Sequence, residues 1–271
     1  MPEGHTVHRS AKQFADAFLG KPVRVDSPQG RFSASAKLID GQPLKRARAV
    51  GKQLFLEFEN GYTLRIHLGI YGKWRWHTGL ELPAPIGEVR ARFWAAATED
   101  SGLRVAELRG PTACELLSPE QVAAAKQKLG PDPIHPDPRA EELGRFISRI
   151  QKSKKAIGLL LMDQTVVSGI GNVYRAELLF RAGLNPMTPG NALTKEALTT
   201  LWADAVKLLA VGVRTGVMIT RDEYLRKDPG KANRHFVYKR EGQPCRVCAT
   251  PVSIAILAGR KLYWCANCQT G

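Results

Sequence analysis

The chain has no apolar run approaching a bilayer span; its longest, such as Ile157 to Met162, fall far short of the roughly 20 residues a membrane helix needs. It opens Met1-Pro2-Glu3-Gly4 without a basic region followed by an apolar one, so export is not expected and a cytoplasmic, reducing setting is. A phosphate-cradling P-loop and a Ser/His/Asp set are both missing, and the six histidines lack metal-ligand spacing, which sets aside the chemistries those motifs carry. His5 and His8, near a helix start, read as surface or capping residues rather than ligands. Acidic residues are scarce, 25 against 40 Lys and Arg, giving net charge +15 and a pI near 9.8. That balance predicts attraction to polyanions, with a merely solvated basic surface as the competing reading. The chain also lacks internal repeats and low-complexity tracts, and its 44% hydrophobic content is that of a globular protein.

Only five cysteines are present, yet four fall into two Cys-x2-Cys pairs, Cys245 with Cys248 and Cys265 with Cys268. Two residues between paired cysteines let a tight turn aim both sulfurs at one ion, and two such knuckles complete a tetrahedron. The pattern predicts one structural zinc; disulfides or a redox pair are the alternatives, weakened by a chain long enough to build a core without staples. Four sulfur ligands leave no open position for water, so chemistry is expected elsewhere. Cys114 stands apart and reads as a buried small hydrophobe.

The length suggests two domains plus the ribbon, with the proline-rich stretch Gly130 to Pro138 as the linker. Before it the period is two. Leu54, Leu56 and Phe58, then Tyr62, Leu64, Ile66 and Leu68, alternate on either side of Asn60-Gly61, which predicts a hairpin. Trp74 and Trp76 alternate with Lys73 and Arg75, and Val89, Ala91 and Phe93 with Arg90 and Arg92, predicting one packed and one basic face. Val7, Ala11, Phe14 and Phe18 keep helical spacing ahead of the strands. After the linker Leu143, Phe146, Ile147 and Ile150 share one helical face and Leu198, Leu201, Ala205, Leu208 and Leu209 another. Between them, residues 164–172 join two short apolar segments; Gly169, Gly171 and Asn172 make either an ordinary helix hairpin or a turn able to hold phosphate. The span from Arg221 to Arg234 is polar and aperiodic, predicting an exposed, mobile loop.

Removal of Met1 is normally permitted by a small second residue, and would expose Pro2 as a secondary amine. Attack of such an amine on a sugar C1′ gives an iminium that is cationic without an added proton and so withdraws electrons. Proline at position 2 is weak evidence alone, but its neighbours point the same way. Met1-Pro2-Glu3-Gly4, Val50-Gly51-Lys52, His67-Leu-Gly-Ile-Tyr-Gly72, Leu129-Gly-Pro-Asp132, Gly158-Leu-Leu-Leu-Met-Asp-Gln164, Gly169-Ile-Gly-Asn172 and the ribbon with Gly259-Arg260 resemble the Fpg/Nei DNA glycosylases, over essentially the whole chain. Pro-Glu-Gly, the Ile-Tyr-Gly turn and Leu-Leu-Leu-Met-Asp-Gln resemble the endonuclease VIII branch in its actinobacterial form.

The resemblance implies an α+β protein: residues 1–130 an N-terminal helix plus β-sandwich, 131–139 a linker, 140–235 a helix-two-turn-helix domain and 236–271 a zinc ribbon. It implies a monomer acting on damaged or abasic double-stranded DNA, held in a basic cleft in the bacterial cytoplasm or nucleoid. Pro2 would attack C1′, Glu3 would protonate the deoxyribose oxygen, and Lys52 would contact phosphate or serve β-elimination. Arg260 would grip phosphate beside the lesion and support δ-elimination, by electrostatics rather than proton loss. Asn172 and Lys128 would hold the DNA backbone. Gly69, Ile70 and Tyr71 would occupy the hole left by an extruded base, sheet core being the other reading for the two apolar side chains. His5-Thr6 stands where relatives carry Pro-Glu, and Gly69 where a larger polar residue is usual, which leaves lesion preference open. Oxidised pyrimidines are the expected substrates, 8-oxoguanine or formamidopyrimidine the nearest alternative, and a non-catalytic zinc-ribbon DNA-binding protein the alternative of another class.

Overall fold

The computed structural model describes residues 2–95, 102–134 and 140–271, so most of the expected linker lies outside the described residues. The chain divides into two compact units, Met1–Lys128 and Leu129–Gly271.

The first unit opens with α1 (Gly4–Phe18), β1 (Pro22–Asp26), α2 (Ser33–Ile39) and β2 (Gln42–Val50). It continues through β3 (Gln53–Phe58), β4 (Thr63–His67), β5 (Lys73–Gly79) and β6 (Ala91–Trp94), and ends with β7 (Leu103–Arg109), β8 (Ala113–Leu117) and α3 (Pro119–Gln127). The antiparallel strands run in the order β5-β7-β6-β1-β2-β3-β4-β8. At the centre β1 and β2 meet only through Pro22 opposite Pro43 and Val23 opposite Gln42. Proline brings no N–H to a ladder, so this narrow join lets two four-stranded halves fold over one core as a sandwich. From α1, which packs on β2 and β3, Phe14 sets its ring 4.7 Å from Trp74, 5.2 Å from Trp76 and 5.6 Å from Phe93. It is 1% exposed, and truncation to alanine would cost about 3–5 kcal/mol.

The hairpin predicted over 54–68 is present as β3 and β4. Val89, Ala91 and Phe93 are buried, as their alternation predicts, while the basic face left to Arg90 and Arg92 is not an open one. Arg92 is buried, with Nε and Nη2 donating to Asp26 at 3.0 and 2.5 Å and Nη1 to the Pro83 carbonyl at 2.8 Å. Alternation identifies the face a strand residue takes, not the loop that later covers it. Cys114 is half-buried on β8 opposite Ile66, and burial pushes its thiol up to about 12.

The second unit holds α4 (Ala140–Gln151), α5 (Ile157–Leu160), α6 (Asn172–Arg181), α7 (Lys195–Thr215) and a hairpin of β9 (Ser253–Leu257) and β10 (Arg260–Trp264). Phe146, Ile150, Leu198, Leu201, Leu208 and Leu209 are all buried in one cluster, as their helical spacing requires. Thr194 caps α7, its Oγ1 accepting from Ala197 N at 3.2 Å, and Gly216 ends it in the left-handed region. The span 221–234 is exposed or half-buried throughout, as expected of a surface loop, but it has local structure. It carries two 3-10 turns, Asp222–Tyr224 and Lys231–Asn233, and Arg234 pairs with Asp228 at 2.5 Å. Local ion pairs give order that hydrophobic periodicity does not register. No helix among the described residues is long and apolar enough to cross a membrane.

Candidate functional site

Pro2, Glu3, Lys52, Gly69, Ile70, Tyr71 and Lys128 belong to the first unit, and Asn172, Arg260 and the four paired cysteines to the second. Pro2 is half-buried just ahead of α1. Glu3 is the residue preceding the helix proper, extended at φ −121°, and is fully buried. A carboxyl withdrawn from water beside a half-buried imino acid is an arrangement able to move protons rather than merely to solubilise a terminus. His5 corrects the surface expectation: it is 2% exposed, its Nε2 3.2 Å from Thr6 Oγ1. Burial first, then the positive charges of the amino terminus, Arg9 and His8, push its pKa down to about 4.

The two-residue turn between β2 and β3 is Gly51-Lys52, with Gly51 at φ 56°, and the half-buried Lys52 leads directly into the sheet on which α1 packs. Lys52 has His67 for company. Burial, then Lys52, then Arg65 hold His67 below its ordinary range, so at neutral pH it carries a neutral ring able to donate one N–H. His67, which opens the 67–72 motif, stands opposite Gln53 in the β3–β4 ladder, and only this cross-strand register associates it with Lys52.

Immediately after His67 the chain turns out of the sheet. Gly72 N donates to the Leu68 carbonyl at 2.8 Å, closing a tight turn whose apex side chains, Ile70 and Tyr71, are 53% and 84% exposed. The sheet-core reading of these two residues is thereby excluded. Water normally drives such side chains inward; an apolar pair held out on a closed turn is a candidate contact surface. Lys128 is exposed at the C-terminal cap of α3.

In the second unit Gln164 ties the 164–171 loop together, its Nε2 donating to the Met162 and Ile170 carbonyls at 3.1 Å each and its Oε1 accepting from Gly169 N at 3.0 Å. The Leu129-to-Asp132 motif lies on this loop, with Gly130 N donating to Gln164 O at 2.8 Å and Ser168 N to Pro131 O at 2.9 Å. Asn172 heads α6, but its side chain does not reach outward. It is 7% exposed, donates through Nδ2 to the Lys261 carbonyl at 3.0 Å and accepts from Arg175 Nη2 at 2.5 Å. Two sequence-predicted residues thus come together, because Lys261 adjoins Arg260. The hairpin turn between β9 and β10, Ala258-Gly259, has both residues at positive φ, 50° and 71°, which delivers the half-exposed Arg260 at the start of the returning strand.

The sulfurs of Cys245, Cys248, Cys265 and Cys268 all lie within 4.8 Å of one another, with Cys245 to Cys268 at 3.9 Å and Cys248 to Cys265 at 3.4 Å. A tetrahedron of Zn–S bonds near 2.3 Å has edges of about 3.8 Å, so the four thiolates fit one structural zinc ion. Their support was not legible beforehand. Glu177 on α6, fully buried, accepts at Oε1 from Val237 N and Tyr238 N, both at 2.8 Å. Its Oε2 accepts from Phe236 N at 2.7 Å and Thr220 Oγ1 at 2.5 Å. One carboxylate thereby fixes the strand of chain that enters the ribbon.

Comparison with known proteins bears on the whole chain. The model of the formamidopyrimidine-DNA glycosylase N-terminal domain matches residues 1–114, that of the H2TH domain of the same glycosylase residues 129–223, and a zinc finger found in FPG and IleRS residues 242–271. Endonuclease 8 1 of Mycobacterium tuberculosis is 44% identical over 277 residues, spanning 100% of both chains. Endonuclease 8 of Escherichia coli is 32% identical over 276 residues, spanning 99% of this chain and 100% of its own. Among solved structures, a Lactococcus lactis FPG mutant in complex with a Fapy-dG containing DNA is 26% identical, covers 100% of both chains and superposes with a TM-score of 0.79.

Proposed function

The chain belongs to the Fpg/Nei family of DNA glycosylases, and on that footing we propose that it excises oxidised pyrimidines from double-stranded DNA and cuts the strand at the resulting abasic site. As a member it is a DNA N-glycosylase and abasic-site lyase, and it carries one structural zinc ion. The reading is carried by the half-buried Pro2 set against the fully buried Glu3 at the head of α1.

The Pro2 nitrogen, freed of Met1, attacks C1′ of the damaged nucleotide; the C1′–N bond to the base breaks, and Glu3 protonates the deoxyribose ring oxygen as the ring opens. The iminium so formed draws electrons from C2′. Loss of a C2′ proton then expels the 3′-phosphate, and a second elimination expels the 5′-phosphate. Lys52 steadies phosphate or takes the C2′ proton, with His67 supplying a neutral donor beside it. Arg260 binds backbone phosphate, Asn172 supports it by fixing the hairpin that carries Arg260 and by placing the start of α6, and Lys128 adds a basic contact. Extrusion costs a few kcal/mol, offset as Ile70 and Tyr71 fill the vacated step.

Borohydride trapping on duplexes containing dihydrouracil, 8-oxoguanine or an abasic site, followed by peptide mass spectrometry, tests the reading. The expected adduct is on Pro2, strongest with dihydrouracil, and lost in Pro2→Gly although that variant still binds DNA. Equal cleavage by Pro2→Gly and wild type would sink the mechanism, and stronger trapping on 8-oxoguanine would reassign the substrate.

A further inference from the structure

The two faces of β2 and β3 carry opposite chemistry. Residues directly opposite in a ladder share a face. Ala47 stands opposite Leu56 and Ala49 opposite Leu54, all packed in or against the core that holds Val7, Phe14 and Phe18 of α1. Arg46 stands opposite Glu57 and Arg48 opposite Phe55, which puts both arginines on the reverse of the sheet from α1, the helix headed by Pro2 and Glu3. α3 brings a third cation to that side, Lys126, whose Nζ stands 5.0 Å from the centre of the Phe55 ring. Lys45, the extra residue where the register slips between Leu44 and Arg46, is a fourth. All four are exposed. Among the described residues their ion pairs reach one carboxylate, Glu57, 3.8 Å from Lys45 and 3.9 Å from Arg46. Burial first, then Arg48 and Arg46 against the opposing pull of Glu57, hold Lys126 below its ordinary pKa, so these charges are close enough to repel. Charge on a strand edge guards against edge-to-edge pairing, but that accounts for β2 alone and not for a lysine that a helix carries over the sheet. Crowded cations of this kind are relieved by a polyanion.

We propose that Arg46, Arg48 and Lys126 form a second duplex-binding surface, which takes the phosphate backbone of an undamaged DNA segment while another segment occupies the site at Pro2, so that the enzyme passes directly from one segment to the next. The inference rests on the glycosylase reading above. About 13 Å of strand separates Arg46 from Val50, where β2 ends, and the three cations face away from α1. They are therefore placed to meet a different stretch of DNA from the one that Pro2 attacks. Cations on a flat sheet, with no element shaped to enter a groove, bind backbone and not sequence. Transfer among undamaged segments requires that indifference.

Displacement kinetics test this. The zinc-loaded enzyme is bound to a fluorescent duplex carrying a tetrahydrofuran abasic analogue and chased with unlabelled, undamaged duplex at rising concentration. Direct transfer makes dissociation accelerate with the chase, by about two- to tenfold as its concentration passes through roughly 1–100 μM, the range of non-specific affinity. Three phosphate contacts weaken about 40-fold between 50 and 200 mM salt, so the acceleration should vanish at the higher salt. The triple variant Arg46→Gln, Arg48→Gln, Lys126→Gln should dissociate at one rate whatever the chase, yet cleave a short lesion duplex at the wild-type rate. The double variant Arg46→Lys, Arg48→Lys should keep the acceleration. A wild type whose dissociation ignores the chase, a triple variant that still responds to it, or one that loses affinity for the lesion duplex as steeply as it loses transfer would each overturn the assignment. Failure of the wild type to cleave or trap any substrate would instead remove the glycosylase reading on which it stands.

Discussion

Replacing Glu177 by glutamine should unlock the ribbon while changing one atom. Two carboxylate oxygens accept four hydrogen bonds, three from the consecutive backbone amides of Phe236, Val237 and Tyr238 and one from Thr220. Glutamine retains one acceptor oxygen and turns an NH2 toward two of those donors. At about 1–3 kcal/mol for each buried donor left unmatched, the loss is roughly 2–6 kcal/mol. For a unit of this size that lowers Tm by roughly 5–20 °C. Because the affected amides lead into the cysteine knuckles, zinc should also pass faster to a chromogenic chelator. Melting followed by calorimetry, together with metal release at constant temperature, measures both. Unchanged melting and release curves for Glu177→Gln would refute the claim that this carboxylate secures the ribbon.

Two further outcomes follow from the first unit. The depressed pKa of His5 means that the unfolded chain binds a proton first; stability is full above the ordinary histidine value, near 6.5, and is lost as pH falls toward about 4. The loss is roughly 3 kcal/mol, and denaturant titrations across that window should show His5→Gln flattening the slope. Tyr71→Ala, at a side chain 84% exposed, should leave Tm within about 2 °C of wild type, yet slow excision from duplex far more than cleavage at a single-stranded abasic site, as paired rate measurements would show.

How far the sequence was readable depended on the distance over which each feature is decided. Alternation and Asn60-Gly61 announce the β3–β4 hairpin because both strands and their turn are contiguous, and the cysteine knuckles likewise carry their geometry within themselves. β1, five residues beginning with proline, has too short a pattern to stand out. The apolar character of 173–180 identifies a buried helix but is silent on Arg175 and Glu177, two charges buried within it, since Glu177 is met by Thr220 and residues 236–238 and Arg175 by Gly158, Asn172 and Lys261, groups that tertiary structure brings together. His5 was misjudged because helix position alone does not reveal which end of a helix is packed over.

The narrow join of the sandwich sets a timetable for the newborn chain. Phe14 emerges early, but the ring of Phe93 that covers it is made roughly 80 residues later, and at roughly 5–20 residues per second the wait is about 4 to 16 seconds. β8, which closes the far edge on β4, is later still. Through that interval β2 and β3 are already available to α1, but the Phe14 face lacks its aromatic cover and strand edges are unpaired, the kind of exposure that favours aggregation. Slower synthesis would lengthen this exposure without altering a single contact of the finished protein.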